Sequence, residues 1–278
     1  MKKVIITGAD GFIGTHFSRK LMDEGVESFT ADIGLSEIGL PHDADAFYHF
    51  AWQGVAAGSR NDFELQYWNV DYSLRAVRLA SSLGAKKFVL PGSTSEYQHH
   101  MAPINRYAVP SPTSAYSSAK LAVRFLCGAL SDQLNLDFIY TVITGIYASD
   151  RRDGNVIQYT INELLHGRKP SLSTLDQKWD YVHINDVCEA LYLIGEKGRA
   201  GGFYSIGHGD NIPIRDYIFT ISSIIDPKLP LGIGERQSSI PTFSCVDLTE
   251  LKKDTGFEPK ISFEIGIREV INDMRREL

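Results

Sequence analysis

Tyr116 and Lys120 stand four positions apart in Tyr116-Ser117-Ser118-Ala119-Lys120, a spacing that puts a phenol and an ammonium on one face of a helix. A positive charge beside a phenol favours the phenolate, so the spacing predicts a tyrosine whose pKa falls below its usual value of about 10. Such a group can exchange a proton at neutral pH as a general acid/base. Ser93 ends the apolar run Lys87-Phe88-Val89-Leu90-Pro91-Gly92-Ser93. It stands where a parallel strand meets its loop, and its hydroxyl could hydrogen-bond a reacting oxygen. Thr94 is a second candidate for contact with substrate. Alone, Tyr-x-x-x-Lys is a weak signal, because a surface tyrosine and a solvated lysine satisfy it equally well.

The signal gains force from Val4-Ile5-Ile6-Thr7-Gly8-Ala9-Asp10-Gly11-Phe12-Ile13-Gly14. Apolar and β-branched residues make a buried strand, the glycines a turn, and Phe12, Ile13, Phe17 and Leu21 follow helical spacing. Gly8 allows a sharp turn, Gly11 allows backbone N–H groups close to a pyrophosphate, and Gly14 allows the helix close to the sheet. The spacing is one residue longer at the front than the commonest dinucleotide fingerprint. Asp32 ends the next strand, Glu27 to Asp32, about 20 residues on, where an acid binds the adenosine ribose hydroxyls. No Lys or Arg follows it until Arg60. That local negative charge disfavours a 2′-phosphate and predicts NAD over NADP, with NADP open if the fold delivers a cation there.

The elements that must position these groups alternate. Strands are predicted at 46–51, 87–93 and 136–143. A helix over about 63–83 is capped by Asp62 and ended by Gly84; a second, over about 115–134, is capped by Ser114. Only about a dozen residues separate Asp32 from the next strand, too few for the helix and strand of a full crossover. Residues 94–113 form a proline-punctuated loop. Beyond Gly145 the pattern loosens into helices near 155–166, 186–196, 214–225, 247–255 and 263–276, with short strands at 181–183 and 203–206. The fold class is α/β: a doubly wound, mostly parallel Rossmann sheet (1–144 and 182–207) with a smaller α+β substrate domain (145–181 and 208–278).

Composition bounds the function. The chain has 278 residues, 43% hydrophobic and 22% charged, with net charge −6. An acidic balance argues against a nucleic-acid surface, while a local arginine can still bind an anionic substrate. No apolar run is long enough for a membrane span, and Lys2-Lys3 leads straight into a strand without the pattern of a signal peptide; a cytoplasmic location is expected. Cys127, Cys188 and Cys245 have no metal spacing and read as reduced thiols.

These stretches together resemble the extended short-chain dehydrogenase/reductases, the NAD-dependent epimerase/dehydratase family acting on nucleotide sugars. The resemblance runs through Thr7 to Gly14, Tyr48-His49-Phe50-Ala51, Asn69-Val70, Gly92 to Tyr97, Tyr116 with Lys120, Trp179 to Val187, Gly202 to Gly207, and Gly256-Phe257-Glu258-Pro259. It implies a nicotinamide cofactor across the sheet edge, with Lys120 also holding its ribose, Tyr116 as acid/base and Ser93 on the sugar oxygen. Phe50, Ala51 and Asn69 would lie near the cofactor, and Arg236 where the family places an arginine on the diphosphate; a solvated surface arginine is the competing reading. A homodimer through the helices near 63–83 and 115–134 is implied as well.

Departures from the family narrow the chemistry. Its dehydratases carry Thr-Asp-Glu beginning at the position of Ser93; Ser93-Thr94-Ser95 offers neither carboxylate, which disfavours dehydration. A one-residue shift would make Thr94 the hydroxyl and Glu96 the acid but would misplace Tyr97. Ala51-Trp52 replaces Ala-Ala, and Gly145-Ile146-Tyr147-Ala148-Ser149 replaces Asn-x-Tyr-Gly-Pro. His99, His100, Arg151 and Arg152 read as solvated loop residues or loop contacts. The leading expectation is a 4-ketoreductase of a nucleoside-diphosphate 4-keto-6-deoxyhexose. The alternative is a 4-epimerase with retained NAD, and a more remote one is a dinucleotide-binding protein without turnover.

Overall fold

In the computed structural model the chain alternates strand and helix. In order these are β1 (Lys3–Thr7), α1 (Phe12–Asp23), β2 (Glu27–Ala31), β3 (Ala46–His49), α2 (Phe63–Ser82), β4 (Lys87–Ser93), α3 (Ala115–Gln133) and β5 (Asp137–Ile143). Then come β6 (Gly145–Tyr147), α4 (Val156–Leu165), β7 (Lys178–Trp179), β8 (Tyr181–His183), α5 (Ile184–Lys197), β9 (Phe203–Ile206), β10 (Ile212–Pro213), α6 (Ile214–Ile225), α7 (Thr249–Thr255) and α8 (Phe263–Arg276). The structure describes residues 1–98, 102–151, 154–237 and 245–277; His99, His100 and Arg152 lie outside them.

The main sheet has six parallel strands in the order β2-β1-β3-β4-β5-β9. The chain leaves β1 for β2 on one side and returns to β3 on the other. The turn after β1 therefore sits at a topological switch point, where open α/β sheets bind their ligands. The short segment after Asp32 carries no helix, so the crossover is truncated as its length required.

Both faces of the sheet are buried. Ile5, Phe47, Phe88 and Leu90 point to one side, under α2 and α3, and join Ala76, Val77, Val123 and Cys127. Val4, Ile6, Ala46, Tyr48 and Val89 point to the other, under α1, α5 and α7, against Phe17, Leu21, Val187, Leu191 and Leu251. Such double burial is why these strands read as continuous apolar runs. The caps predicted for the two long helices are present: Asp62 accepts from Leu65 N–H at 3.0 Å and Ser114 from Ser117 N–H at 3.1 Å.

A separate apolar cluster unites α4, α6 and α8 through Ile157, Ile161, Tyr217, Ile218, Phe263 and Ile267. One strand differs from expectation. Residues 181–183 do not enter the main sheet; they pair with Gly145–Tyr147 in a two-stranded parallel sheet, and the chain rejoins the main sheet only at β9. The edge beside β5 is taken by β9, which pairs with Tyr140–Ile143 and leaves no ladder there for residues 181–183.

A buried polar chain ties β1, β3 and α2 together. Ser73 hydroxyl donates to Asn69 O at 2.8 Å, so its oxygen accepts from His49 Nε2 at 3.0 Å, and His49 Nδ1 accepts from Thr7 hydroxyl at 2.7 Å. This is the neutral ring. Burial, and then the Lys120 charge, push the His49 pKa down from 6.5 to about 3. The stability this supplies is fully present above pH 6.5 and is lost as the pH falls towards 3, because the unfolded chain binds a proton that the folded one refuses. The expected loss is about 1.4 kcal/mol per pH unit in that window. Urea unfolding at a series of pH values should show it, and the His49→Gln variant should show a flatter profile; equal slopes would contradict the assignment.

Candidate active site

The glycine turn opens onto a cavity of about 760 Å³ at the C-terminal edge of the sheet. Gly8 holds φ at 71° and abuts β3's exit: a Cβ there would stand 2.6 Å from Ala51 N and 2.8 Å from Ala51 Cα. Gly11 N–H donates to Gly8 O at 3.1 Å and caps α1 without a side chain. The first N–H groups of a twelve-residue helix thus face the cavity, a geometry suited to an anion. Gly8, Gly11, Phe12, Ile13 and Gly14 all line the cavity, so the cradle fits the pyrophosphate of a dinucleotide.

Ser93, Thr94, Tyr116 and Lys120 line the same cavity. Ser93 oxygen accepts from Ser95 N–H at 3.2 Å and from Ser95 hydroxyl at 3.0 Å. Its own proton is free to turn to the phenol of Tyr116, whose ionised form it favours. Lys120 Nζ donates to Pro91 O at 3.0 Å and sits 3.8 Å from the centroid of the Trp52 ring. Burial lowers its pKa to about 7 against the pull of the Glu96 charge.

The expected activation of Tyr116 by Lys120 is therefore corrected. Burial holds the phenol above its usual value; Arg60 opposes this, Glu96 adds to it, and Ser93 and Arg151 oppose it. The i, i+4 spacing puts the lysine on the right helix face, but its ammonium is engaged by the Pro91 carbonyl and the indole.

Glu96, the other acid in this region, is fully buried behind the site. It accepts from Ser93 N–H at 2.7 Å and from Tyr140 hydroxyl at 2.8 Å, and burial raises its pKa to about 7. It clamps the end of β4 and does not line the cavity, so it offers no acid for an elimination.

Phe50 also lines the cavity. Ala51 stands against the glycine turn, with its N–H 3.4 Å from Thr7 hydroxyl. Asn69 is buried, and its amide is spent on Gln53: Oδ1 accepts from Gln53 N–H at 2.9 Å and Nδ2 donates to Gln53 O at 2.9 Å. It shapes the loop after β3 and does not line the cavity. Asp32 lies beyond the lining, its Oδ1 accepting from Ser36 N–H at 3.2 Å. Arg75 donates to Gly34 O at 3.3 Å, so the fold brings a cation beside this segment that local sequence did not show. Arg236 lies outside the lining as well, its guanidinium 5.6 Å from the Tyr159 ring centroid.

The sequence shows Arg60 only as the first cation after Asp32, and Arg151 as a solvated loop residue or a loop contact; both line the cavity. Arg151 donates to Ile146 O at 2.7 Å, with its guanidinium 5.1 Å from the Phe12 ring. Trp52 was singled out only as a departure. It is anchored by Nε1 donating to Gln66 Oε1 at 3.1 Å and packs edge-on to Tyr116 with ring centroids 6.0 Å apart.

A parallel sheet with a glycine cradle at its switch point, and a Ser-Tyr-Lys constellation facing it, defines a dinucleotide-binding enzyme of the α/β class. The model of the NAD dependent epimerase/dehydratase family matches residues 4–207. The chain belongs to that family.

Among curated relatives, UDP-glucose 4-epimerase of Azospirillum brasilense is 23% identical over 93% of this chain and 87% of its own length. The dTDP-glucose 4,6-dehydratase of Salmonella typhimurium is 25% identical over 58% of this chain; the match spans about half, 47%, of the dehydratase. Of solved structures, RMD from Pseudomonas aeruginosa complexed with NADPH superposes with a TM-score of 0.88 at 19% identity, covering 100% of both chains. That likeness carries the fold. Among the described residues, no helix is long and apolar enough to cross a membrane.

Proposed function

We propose that the protein moves hydride at a hydroxyl-bearing carbon of a nucleotide-linked sugar, working as a 4-ketoreductase of a nucleoside-diphosphate 4-keto-6-deoxyhexose. The observation that carries this reading is the meeting of Ser93, Tyr116 and Lys120 with the glycine cradle on one cavity, while Glu96 is buried behind it. The set offers proton exchange and oxygen binding, and the two residues after Ser93, Thr94 and Ser95, bring no carboxylate to it. A bound nicotinamide supplies the hydride. Ser93 orients the sugar oxygen, Tyr116 donates the proton to it, and Lys120 turns from Pro91 O to the cofactor ribose. Arg151, which lines the cavity, offers a cation to the diphosphate.

A 4-epimerase is the second reading, favoured by the near full-length match to UDP-glucose 4-epimerase. It uses the same residues but must retain its cofactor through an oxidised intermediate. Denaturing the purified protein and identifying what is released separates the two: an empty site is expected for the reductase, and stoichiometric tightly held NAD would overturn it in favour of the epimerase.

NADH is expected to bind more tightly than NADPH, because Asp32 would accept from both ribose hydroxyls and repel a 2′-phosphate, while Arg75, the cation the fold brings there, is turned to the Gly34 carbonyl. Fluorescence titration of both cofactors tests this, with Asp32→Ala expected to lose the preference and Arg75→Ala to leave it intact. Tighter NADPH binding by the native protein, unchanged in Asp32→Ala, would contradict it.

The assembly is a homodimer in this reading. Phe63 and Tyr67 on α2 are 75% and 73% exposed, and Phe125 and Leu126 on the adjacent α3 are 59% and 47% exposed. Light scattering at micromolar concentration should give twice the chain mass; a strictly monomeric mass would refute it.

A further inference from the structure

Arg60 has no part in the motifs that mark this family, yet the fold fixes it against the tyrosine. Its carbonyl accepts from Tyr116 N–H at 2.9 Å, and its neighbour Asn61 accepts from Ala115 N–H at 3.1 Å through Oδ1. Asp62, one residue further, caps α2. The segment is thus stitched to the first turns of both long helices. Arg60 Nε donates to Val55 O at 2.9 Å, and the guanidinium carbon stands 5.2 Å from the centroid of the Tyr116 ring. Among the described residues no carboxylate pairs with it, and it lines the cavity.

The groups facing Tyr116 can be taken element by element. The loop after β3 brings Arg60 and the uncharged Trp52; β4 and the turn after it bring Ser93 and Glu96; the loop after β6 brings Arg151; α3 itself brings Lys120. Lys120 is held by the Pro91 carbonyl and the indole, and Glu96 by Ser93 N–H and Tyr140. Of these cations, Arg60 is the one placed over the phenol ring, an interaction that grows more favourable as the ring gains negative charge.

We infer that Arg60 is a positioning residue for Tyr116, holding its ring in place from the loop after β3 and setting a positive charge over it in addition to that of Lys120. This rests on the reading of Tyr116 as the acid/base. Consistent with the geometry, Arg60 is the strongest influence lowering the phenol's proton affinity.

The test uses the full chain labelled with 3-fluorotyrosine, whose phenol ionises in a lower range than tyrosine, with the Tyr116 fluorine signal assigned by its absence from Tyr116→Phe. Arg60→Met should raise the midpoint of that signal by about one pH unit, and Arg60→Lys should keep it nearer to wild type. An unchanged midpoint in Arg60→Met, or an equal rise in both variants, would overturn the inference. Thermal unfolding of each variant controls for folding. The titration needs no substrate, so it stands apart from the proposed reaction. In turnover assays with a nucleoside-diphosphate 4-keto-6-deoxyhexose, the expected loss in Arg60→Met falls on kcat; a rise in KM alone, with the midpoint unmoved, would instead make Arg60 a substrate contact.

Discussion

Replacing Tyr116 by phenylalanine is expected to leave a folded, cofactor-binding protein that turns over about 10²-fold more slowly or worse, the scale of general acid/base catalysis. The substitution removes one oxygen and keeps the ring. The ring's edge contact with Trp52 and its contact with Arg60 persist, as do the backbone bonds at the start of α3. Ser93 keeps both bonds that it accepts from Ser95. None of the glycine-turn contacts involves the phenol, so cofactor titration should match the native protein. Near-normal turnover in this variant would show that the proton comes from elsewhere.

Gly14→Ala is expected to do the opposite, damaging the cradle before any chemistry begins. A Cβ at Gly14 would collide with Gly8 O and lie 2.7 Å from Ala9 Cα and 2.8 Å from Ala9 O. All three are backbone atoms, with no side chain to swing away, so α1 must back off the turn or the turn must open. Overpacking of this kind costs about 1–3 kcal/mol, or several degrees in Tm for a chain of this size. Because the displaced groups are the anion-binding N–H donors, dinucleotide affinity should fall more than about tenfold, the equivalent of one lost charge-assisted hydrogen bond. Gly25→Ala is the control. Its φ of 70° makes alanine strained, but nothing lies within 4 Å of the added atom, so stability should drop while cofactor affinity holds. Equal affinities in the two variants, measured by fluorescence titration, would contradict this account of the cradle.

How much could be read in advance depended on how local the determinants were. The glycine turn was legible because φ and close approach act within one stretch, and the caps at Asp62 and Ser114 because each bonds a backbone N–H three residues on. Tyr116 and Lys120 were legible as a pair by helical spacing. The state of that pair was not: Trp52 and Pro91, which hold the ammonium, lie on other elements, and the arginine over the phenol comes from the loop after β3. Asn69 was expected beside the cofactor, but its amide is consumed by Gln53, a contact between a helix and a loop that no periodicity reveals. The negative charge around Asp32 was read from neighbours in sequence, whereas Arg75 arrives from α2. Residues 181–183 read as a strand of the main sheet because a short buried strand looks the same in any sheet; which sheet it joins is set by pairing with β6.

The most direct test of the central claim mixes the purified protein with NADH and a nucleoside-diphosphate 4-keto-6-deoxyhexose and follows the reduced nicotinamide by absorbance and the sugar by NMR. The account expects consumption of NADH matched by appearance of the 4-hydroxyl sugar, slowed about 10²-fold or more in Tyr116→Phe. An unchanged keto sugar with undiminished NADH, in a protein shown to bind the cofactor, would contradict it.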